Sequence, residues 1–231
     1  MKRRIISITG LLTTVLVLLV SCTKDLDRFP KYGDTAATQY KDLAGYRSVM
    51  AKVYAGLTLT GNSGPDGSGD ITGIDEGFSS YLRQYWSAQE LSTDEAVIGW
   101  NDATIKDFHY MTWSAADVFI RALYSRIYFQ ITLANEFIRE SEASKVSSRG
   151  ISGADATEIA YMRAEARFLR ALSYYHALDL FGNVPFVTEA DNVGAFLPQQ
   201  ISRTNLFYYI ESELKAIETE LRDARTNEYG R

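Results

Sequence analysis

The stretch from Glu158 to Glu189 constrains the fold of this chain more than any other part of the sequence. Its apolar residues Phe168, Leu172, Tyr175 and Leu178 recur at spacings of four, three and three, which is the period of an α-helix. Small side chains occupy a neighbouring face, at Ala160, Ala164 and Ala171. A helix that is apolar on several sides is suited to packing on several sides, as in arrays of stacked helical hairpins.

The end of this helix is marked by two residues. Gly182 has no Cβ atom and tolerates the left-handed conformation that closes a helix. Pro185 lacks the backbone N–H that a continuing helix needs. The sequence therefore predicts a helix end at Gly182, followed by an extended segment through Val184 and Phe186.

Three further stretches repeat apolar residues at helical spacing and predict helices. They run from Thr35 to Thr58, from about Ala115 to Ser144, and from Ser202 or Thr204 through Leu221. Thr35 or Thr38 is expected to cap the first of them. Residues 145–154 and 188–201 are expected to be irregular. Two helix-loop-helix units of similar size result, which is typical of degenerate helical repeats.

The N-terminus carries the pattern of an export signal. The basic residues 2–4 precede the apolar run 5–20, which ends at a small residue and the single cysteine, Cys22. This arrangement resembles the bacterial lipobox, in which a peptidase cuts before a cysteine that carries lipid. We therefore predict a signal peptide at 1–21 and a lipidated flexible tether at 22–34. An uncleaved anchor or a plain signal peptide is the alternative.

Charge and cysteine content exclude several classes of protein. The whole chain has a net charge of −5, and loss of the three basic residues with the signal peptide would take it to −8. A negatively charged surface of this kind repels the phosphate backbone of nucleic acid, which argues against a nucleic-acid-binding protein. No cysteine beyond Cys22 is available for disulfides, so stability must come from packing, for which 15 Tyr and 11 Phe are available.

The segment from Gly61 to Gly77 is expected to be a long loop, because it carries six glycines. Its acidic residues Asp66, Asp70, Asp75 and Glu76 invite a calcium interpretation, but their spacing does not match an EF-hand loop. A solvated flexible loop is the favoured interpretation. Residues 78–113 are expected to be irregular and aromatic, with one capped helical turn at 91–95.

Four blocks of sequence resemble one known family when taken in order. They are AEARFLRALSYYHALDLFGNVPFVTE at 164–189, QELSTDEAVIGW at 89–100, LYSRIYFQITLANEFI at 123–138 and RTNLFYYIESELKAIETEL at 203–221. In this order they resemble the N-terminal part of the SusD/RagB-like lipoproteins. The resemblance implies an all-α, TPR-like domain of stacked helical hairpins with long irregular loops, covering residues 35–231.

The resemblance also implies a function. Members are lipid-anchored at the cell surface of the outer membrane and bind nutrients, usually an oligosaccharide, for delivery to a TonB-dependent, SusC-like transporter. Binding occurs without catalysis and without a cofactor or metal. Family members are longer than this chain, and a Gly-Arg pair such as Gly230-Arg231 usually opens a further helix. We therefore expect this sequence to be the N-terminal portion of a longer protein.

Sugar binding needs flat apolar faces for the C–H side of a pyranose ring and planar polar groups for its hydroxyls. The Trp100-Asn101-Asp102 cluster has this composition and matches the place of a ligand-contacting loop in the family. The full candidate set is Tyr81, Arg83, Trp86, Trp100, Asn101 and Asp102. For Trp100, ligand contact and core packing are both open. Trp86 has a core role as its alternative, and for Trp113 a core role is favoured.

Catalytic machinery is not apparent in the sequence. Asp94 and Glu95 are adjacent and point apart in regular structure, unlike the paired carboxylates of glycosidases. His176 lies within the long helix, where a hydrogen-bonded core role is expected. The pairs Glu136/Glu140 and Glu158/Glu165 are expected to lie on solvated helix faces or to be i,i+4 partners.

Two other groups of helical polar residues have expected structural roles. Arg163, Arg167 and Arg170, with Glu165, form a polar stripe that is expected to serve packing and ion pairing and not phosphate binding. Asn135 lies near an apolar stripe and is expected to bond a neighbouring loop.

Three alternatives to glycan binding remain open at this point. One is a peptide ligand, as in the RagB branch of the family. Another is an α-helical glycoside-acting enzyme, which predicts two carboxylates from separate loops in one cleft. The third is a structural partner of the transporter without a ligand, which predicts that Trp100 and Tyr81 are buried.

Overall fold

The computed structural model of the chain describes residues 35–61, 69–102, 104–194 and 197–227. The predicted signal peptide 1–21, the predicted lipidation site Cys22 and the predicted tether 22–34 lie outside these residues, as do loop residues 62–68 and the Gly-Arg pair Gly230-Arg231. Residues Gln39–Arg231 form one compact unit by themselves. This unit is the helical domain.

The described residues are mostly helical, which confirms the predicted fold class. The helices are α1 (Ala36–Gln39), α2 (Leu43–Ala55), α3 (Tyr81–Glu90), α4 (Lys106–Tyr110), α5 (Val118–Glu140), α6 (Ala143–Ser148), α7 (Gly153–Phe181) and α8 (Arg203–Ile217). Two short strands, β1 (Val184–Pro185) and β2 (Gln200–Ile201), pair antiparallel. No helix within the described ranges has the length and apolarity that crossing a membrane requires.

The first predicted helix is two helices. The backbone at Asp42 is extended, and its carboxylate accepts a hydrogen bond from Gly45 N at 2.9 Å, so Asp42 caps α2. Thr35 caps α1, because its Oγ1 accepts a hydrogen bond from Thr38 N at 3.3 Å, and Thr38 Oγ1 accepts one in return from Thr35 N at 2.8 Å. The predicted cap at Thr35 is therefore confirmed for α1, whereas the prediction of a single helix through Asp42 was wrong.

Helix α3 lies in the segment that was predicted to be irregular. Its buried face carries Tyr81, Gln84 and Ser87 at helical spacing. Two of these three residues are polar, so the apolar periodicity that announces a helix is missing. The expected helical turn at 91–95 is a non-helical turn, in which Thr93 Oγ1 accepts a hydrogen bond from Glu95 N at 3.2 Å.

Helix α5 is close to its predicted bounds. Asp117 caps it by accepting hydrogen bonds from Phe119 N at 2.8 Å and Ile120 N at 3.0 Å. The short helix α6 occupies the first part of the break that was predicted for 145–154. The interpretation of that break as wholly irregular was therefore wrong.

Helix α7 ends where the sequence predicts. Gly182 follows Phe181 with φ at 73°, and its N–H donates to Leu178 O at 3.2 Å. The chain then extends into β1. The loop that follows returns through β2, and Asn183 Oδ1 accepts a hydrogen bond from the first residue of α8, Arg203 N, at 2.8 Å.

The buried face of α7 differs from the predicted stripe. Ala164 and Ala171 are buried as expected, whereas Ala160 is exposed. Phe168 and Tyr175 are 41% and 50% exposed, so their assignment to the core was wrong. The buried positions include Ile159, Met162, Ala166, Leu169 and Tyr174. Helices α2, α5, α6 and α8 all pack on α7. Phe168 and Tyr175 lie on the side of α7 that stays exposed, together with Asp179.

Three apolar clusters form the interior of the part of the chain that the structure describes. One joins α2, α5 and α7 around Tyr46, Phe137 and Met162. A second joins α3, α5, α7 and α8 around Tyr174 and Leu206. The third is smaller and lies under the loops that flank α3 and α4, built by Leu91, Ile105, Phe108 and Phe119.

Several charged side chains of the long helices are buried. Arg170 of α7 is 2% exposed and is paired with Glu189 and with Glu213 of α8, while Arg167 pairs with Glu213 at 2.9 Å. The expectation of ion pairing is confirmed for these two arginines. Arg163 instead donates to the backbone carbonyl of Ile138.

The expectation of solvated glutamates was wrong for three positions. Glu140 is 7% exposed and pairs with Lys145 and Arg149. Glu165 is also 7% exposed and accepts a hydrogen bond from Tyr54 Oη at 2.9 Å. Glu158 is paired with Arg222. The partners of Glu165 and Glu158 lie 111 and 64 residues away in the sequence, which short-range spacing does not reveal.

Candidate functional site

A shallow groove brings together four of the six predicted ligand-contacting residues. Its volume is about 640 Å³. Arg83 comes from α3, and Trp100, Asn101 and Asp102 come from the extended segment after it. The other wall is built by residues that precede α3, namely Asp75, Gly77 and Phe78.

The centre of the groove is a contact between a cation and an aromatic ring. The guanidinium carbon of Arg83 lies 5.1 Å from the ring centroid of Trp100. Arg83 Nη1 also donates a hydrogen bond to Gly77 O at 2.6 Å, which ties α3 to the opposite wall. Trp100 is 55% exposed, so much of its surface stays open to solvent. The core interpretation of Trp100 is therefore excluded.

Arg126 of α5 holds the segment that precedes α3 and forms one wall of the groove. This side chain is 1% exposed and donates to Ser79 O at 2.7 Å and to Thr60 O at 3.2 Å. Its guanidinium also pairs with Asp70 at 3.6 Å. Burial lowers the pKa of Arg126, and Asp70 acts in the opposite direction. The groove wall is thus held by a buried cation.

Two predicted residues do not line the groove. Tyr81 is fully buried, and its phenol oxygen lies 2.8 Å from His176 Nδ1, so its prediction as a ligand contact was wrong. Trp86 lies about one turn beyond Arg83 on α3 and is 50% exposed. The structural-partner alternative required both Trp100 and Tyr81 to be buried, and only Tyr81 is.

The sequence reasoning missed the contribution of the wall residues Asp75, Gly77 and Phe78. The loop 61–77 was noted for its glycines and acidic groups, and part of it does line the groove. Phe78 carries no local signal of a surface role. Phe78 and Trp100 precede and follow α3 in the sequence, and the fold of this segment brings both into the lining of the groove.

One carboxylate of the acidic loop that was considered for calcium binding is paired with two cationic side chains. Asp70 accepts hydrogen bonds from Lys52 Nζ at 2.9 and 3.0 Å and pairs with Arg126. In the part of the chain that the structure describes, no three His, Cys, Asp or Glu side chains are grouped to hold a metal ion.

His176 has the core role that was expected. Its ring stacks on Tyr85 at a centroid distance of 4.1 Å, and burial lowers its pKa although Asp179 acts to raise it. Asn135 also behaves as predicted, since its Nδ2 donates to Val187 O, in the loop after α7, at 3.2 Å. Trp113 was expected in the core but is 44% exposed.

Sequence comparison decides the family. No family model matches the chain. The starch-binding protein SusD of Bacteroides thetaiotaomicron is 35% identical over 214 residues, which is 92% of this chain. The chain belongs to the SusD-like family. The aligned stretch is 36% of the length of that relative, so this SusD-like chain spans about a third of it.

Solved structures agree on the SusD-like fold. A SusD superfamily protein from Bacteroides vulgatus matches with a TM-score of 0.60 at 15% identity, covering 84% of this chain and 37% of its own. A SusD-like carbohydrate binding protein from Bacteroides fragilis matches with a TM-score of 0.53 at 20% identity, covering 84% and 34%. At such identities the likeness concerns the fold alone.

Proposed function

We propose that this SusD-like chain binds an oligosaccharide in the groove of Arg83, Trp100, Asn101 and Asp102. The observation that carries the proposal is the position of the Arg83 guanidinium, 5.1 Å from the half-exposed Trp100 ring. An indole ring offers an apolar face to the C–H side of a pyranose, and neighbouring donors and acceptors bind its hydroxyls. Asn101 and Asp102 are exposed beside this ring and supply such groups.

The names of the relatives favour a sugar over a peptide. The B. thetaiotaomicron relative is named as starch-binding and the B. fragilis structure as carbohydrate binding. Besides two aromatic rings and a glycine, the shallow groove is lined by one amide, one guanidinium and two carboxylates. These four polar side chains suit the hydroxyls of a sugar better than the apolar side chains of a peptide. A peptide ligand remains the runner-up within the same binding role.

The setting of this binding role follows from the family resemblance. We propose that Cys22 is lipidated, that the protein is held at the outer surface of the outer membrane, and that it passes its ligand to a TonB-dependent, SusC-like transporter. Metabolic labelling with a fatty acid tests the anchor, because Cys22→Ala removes the attachment thiol and must abolish the label. Affinity purification of the native protein with its membrane fraction tests the transporter.

One observation favours a second candidate, a glycoside-acting enzyme. Asp75 and Asp102 lie on separate segments and line the same groove. Hydrolysis needs one of two carboxyls to act as a proton donor, which enzymes secure by burying it. Both aspartates are exposed, and Asp75 Oδ1 is occupied by Gly77 N at 2.7 Å. Binding without chemistry is therefore the better-supported function.

The test compares Trp100→Ala with Trp86→Ala by calorimetric titration with neutral oligosaccharides. The two tryptophans have similar exposure, but only Trp100 lines the groove. We expect Trp100→Ala to weaken binding about tenfold, equivalent to about 1.4 kcal/mol, and Trp86→Ala to leave it unchanged. Equal affinities for both variants would place the site elsewhere. Release of shorter sugars by the wild type, lost in Asp102→Asn, would favour the enzyme.

A further inference from the structure

An exposed aromatic turn follows helix α4 and is not part of the groove. Tyr110, Met111 and Trp113 are 65%, 66% and 44% exposed. All residues from His109 to Ala116 are exposed as well. Large apolar side chains that cluster at the surface usually mark an interaction site.

The turn has a defined backbone conformation. Met111 has φ at 52°, in the left-handed region that residues with a Cβ atom seldom adopt. Two hydrogen bonds hold it, from Met111 N to Phe108 O at 3.3 Å and from Thr112 N to Asp107 O at 3.0 Å. The hydroxyl of Thr112 adds a third, to Asp107 Oδ1 at 3.3 Å. The two aromatic rings are therefore presented by an ordered turn.

The same small core supports the aromatic turn and the groove. The Trp113 ring lies 6.2 Å from that of Phe108, which is 5% exposed. Phe108 lies 6.5 Å from Phe119, and Phe119 lies 4.9 Å from Phe78 in the groove wall. Three ring-to-ring contacts thus connect Trp113 to the lining of the groove.

The chemistry of the turn matches an uncharged sugar. Tyr110 and Trp113 offer apolar faces, and the hydroxyls of Tyr110 and Ser114 can donate and accept hydrogen bonds. Residues 109–116 contain no Lys, Arg, Asp or Glu. The turn itself therefore carries no charged side chain, and the neighbouring Asp107 carboxylate accepts a hydrogen bond from the Thr112 hydroxyl.

We propose that the turn from Tyr110 to Trp113 is a second sugar-stacking platform, which binds additional units of a neutral oligosaccharide whose first units occupy the groove. This inference rests on the proposed glycan-binding function. Contacts at both places lengthen the recognised chain, because a ligand held at two points dissociates more slowly than one held at a single point. The platform therefore contributes to the affinity for long chains and contributes nothing for short ones.

The experiment measures the affinity of the full chain for sugars of two lengths by calorimetric titration. The probes are tri- and heptasaccharides of the malto-, cello-, xylo- and manno- series. We expect Tyr110→Ala and Trp113→Ala to weaken heptasaccharide binding about threefold to tenfold and to leave trisaccharide binding unchanged. Trp100→Ala should weaken both. Tyr208→Ala is the matched control, since it removes a ring that is 60% exposed on α8.

Tyr110→Ala guards against misfolding, because this ring contacts only its neighbour His109 among the described aromatic pairs. Unchanged heptasaccharide affinity in both variants, with Trp100→Ala still defective, would overturn the second platform and leave the groove intact. Absence of binding by the wild type to every probe would overturn both proposals. Loss of self-association in analytical ultracentrifugation, with sugar binding unchanged, would assign the turn to a contact between copies instead.

Discussion

The phenol oxygen of Tyr81 lies 2.8 Å from Nδ1 of His176, and both side chains are buried. This pair joins α3, which carries Arg83 of the groove, to the central helix α7. Tyr85 stacks on the other side of the imidazole at 4.1 Å. Burial lowers the pKa of His176 from its ordinary value of 6.5, so the neutral ring belongs to the folded state.

Acidification is expected to destabilise the fold through His176. Below pH 6.5 the unfolded chain binds a proton on this residue that the folded chain excludes, so the free energy of unfolding decreases as pH falls below 6.5. Denaturant titration at a series of pH values measures this slope. His176→Gln should flatten it, and replacement of the exposed His109 by Gln should not. If His176→Gln and the wild type showed the same dependence of unfolding free energy on pH, His176 would not be its source.

Gly182→Ala is expected to destabilise the protein by about 1–2 kcal/mol, because an alanine must adopt the positive φ of 73°. Gly99→Ala is the matched control. A Cβ atom at either position meets no atom within 4 Å, so only the backbone conformation distinguishes the two. Gly99→Ala should be neutral or slightly stabilising in thermal and denaturant unfolding. A similar loss of stability in both variants would show that the positive φ of Gly182 is not the cause.

Glu213→Ala is expected to cost about 2–4 kcal/mol of stability, because it leaves buried arginines with fewer carboxylates. Burial acts to raise the pKa of Glu213, but hydrogen bonds from Arg167 and Arg170 outweigh it and lower the pKa. Its contribution is therefore present above pH 4.5 and is lost on further acidification. Lys215→Ala on the same helix removes an exposed pair with Glu211 and should cost less than about 0.5 kcal/mol.

Arg126→Met is expected to loosen the groove wall before α3. The variant loses the hydrogen bonds to Ser79 O and Thr60 O and leaves Asp70 with Lys52 alone. Hydrogen exchange of residues 69–79 should accelerate, and oligosaccharide affinity should fall although Arg126 lines no part of the groove. Arg121→Met changes an exposed arginine of the same helix and should affect neither measurement. Faster exchange throughout the chain would instead indicate global destabilisation.

The predictions that succeeded depend on local signals. Gly182 and Pro185 predict the end of α7 correctly. The position of Asn135 beside an apolar stripe predicts its contact with a loop. Helix α3 was missed because its buried face includes Gln84 and Ser87, whose buried positions depend on contacts outside the helix.

The candidate site was predicted in composition but not in geometry. Trp100, Asn101 and Asp102 are consecutive, so their grouping could be read from the sequence. The approach of Arg83 to Trp100 depends on how α3 and the following segment turn, and no spacing rule supplies that. The burial of Tyr81 also depends on a distant partner, His176, which is 95 residues away.

The buried arginines of α7 also determine the order in which α7 and α8 pack together while the chain is being synthesised. Arg167 and Arg170 emerge from the ribosome before Glu213, which lies more than 40 residues later. Until α8 arrives, closing this face of α7 would enclose two cations with few counter-charges, at a free-energy cost that keeps the face hydrated. The docking of α8 on α7 is therefore later than the formation of α7. Nascent chains that stall before α8 would present this open face to chaperones.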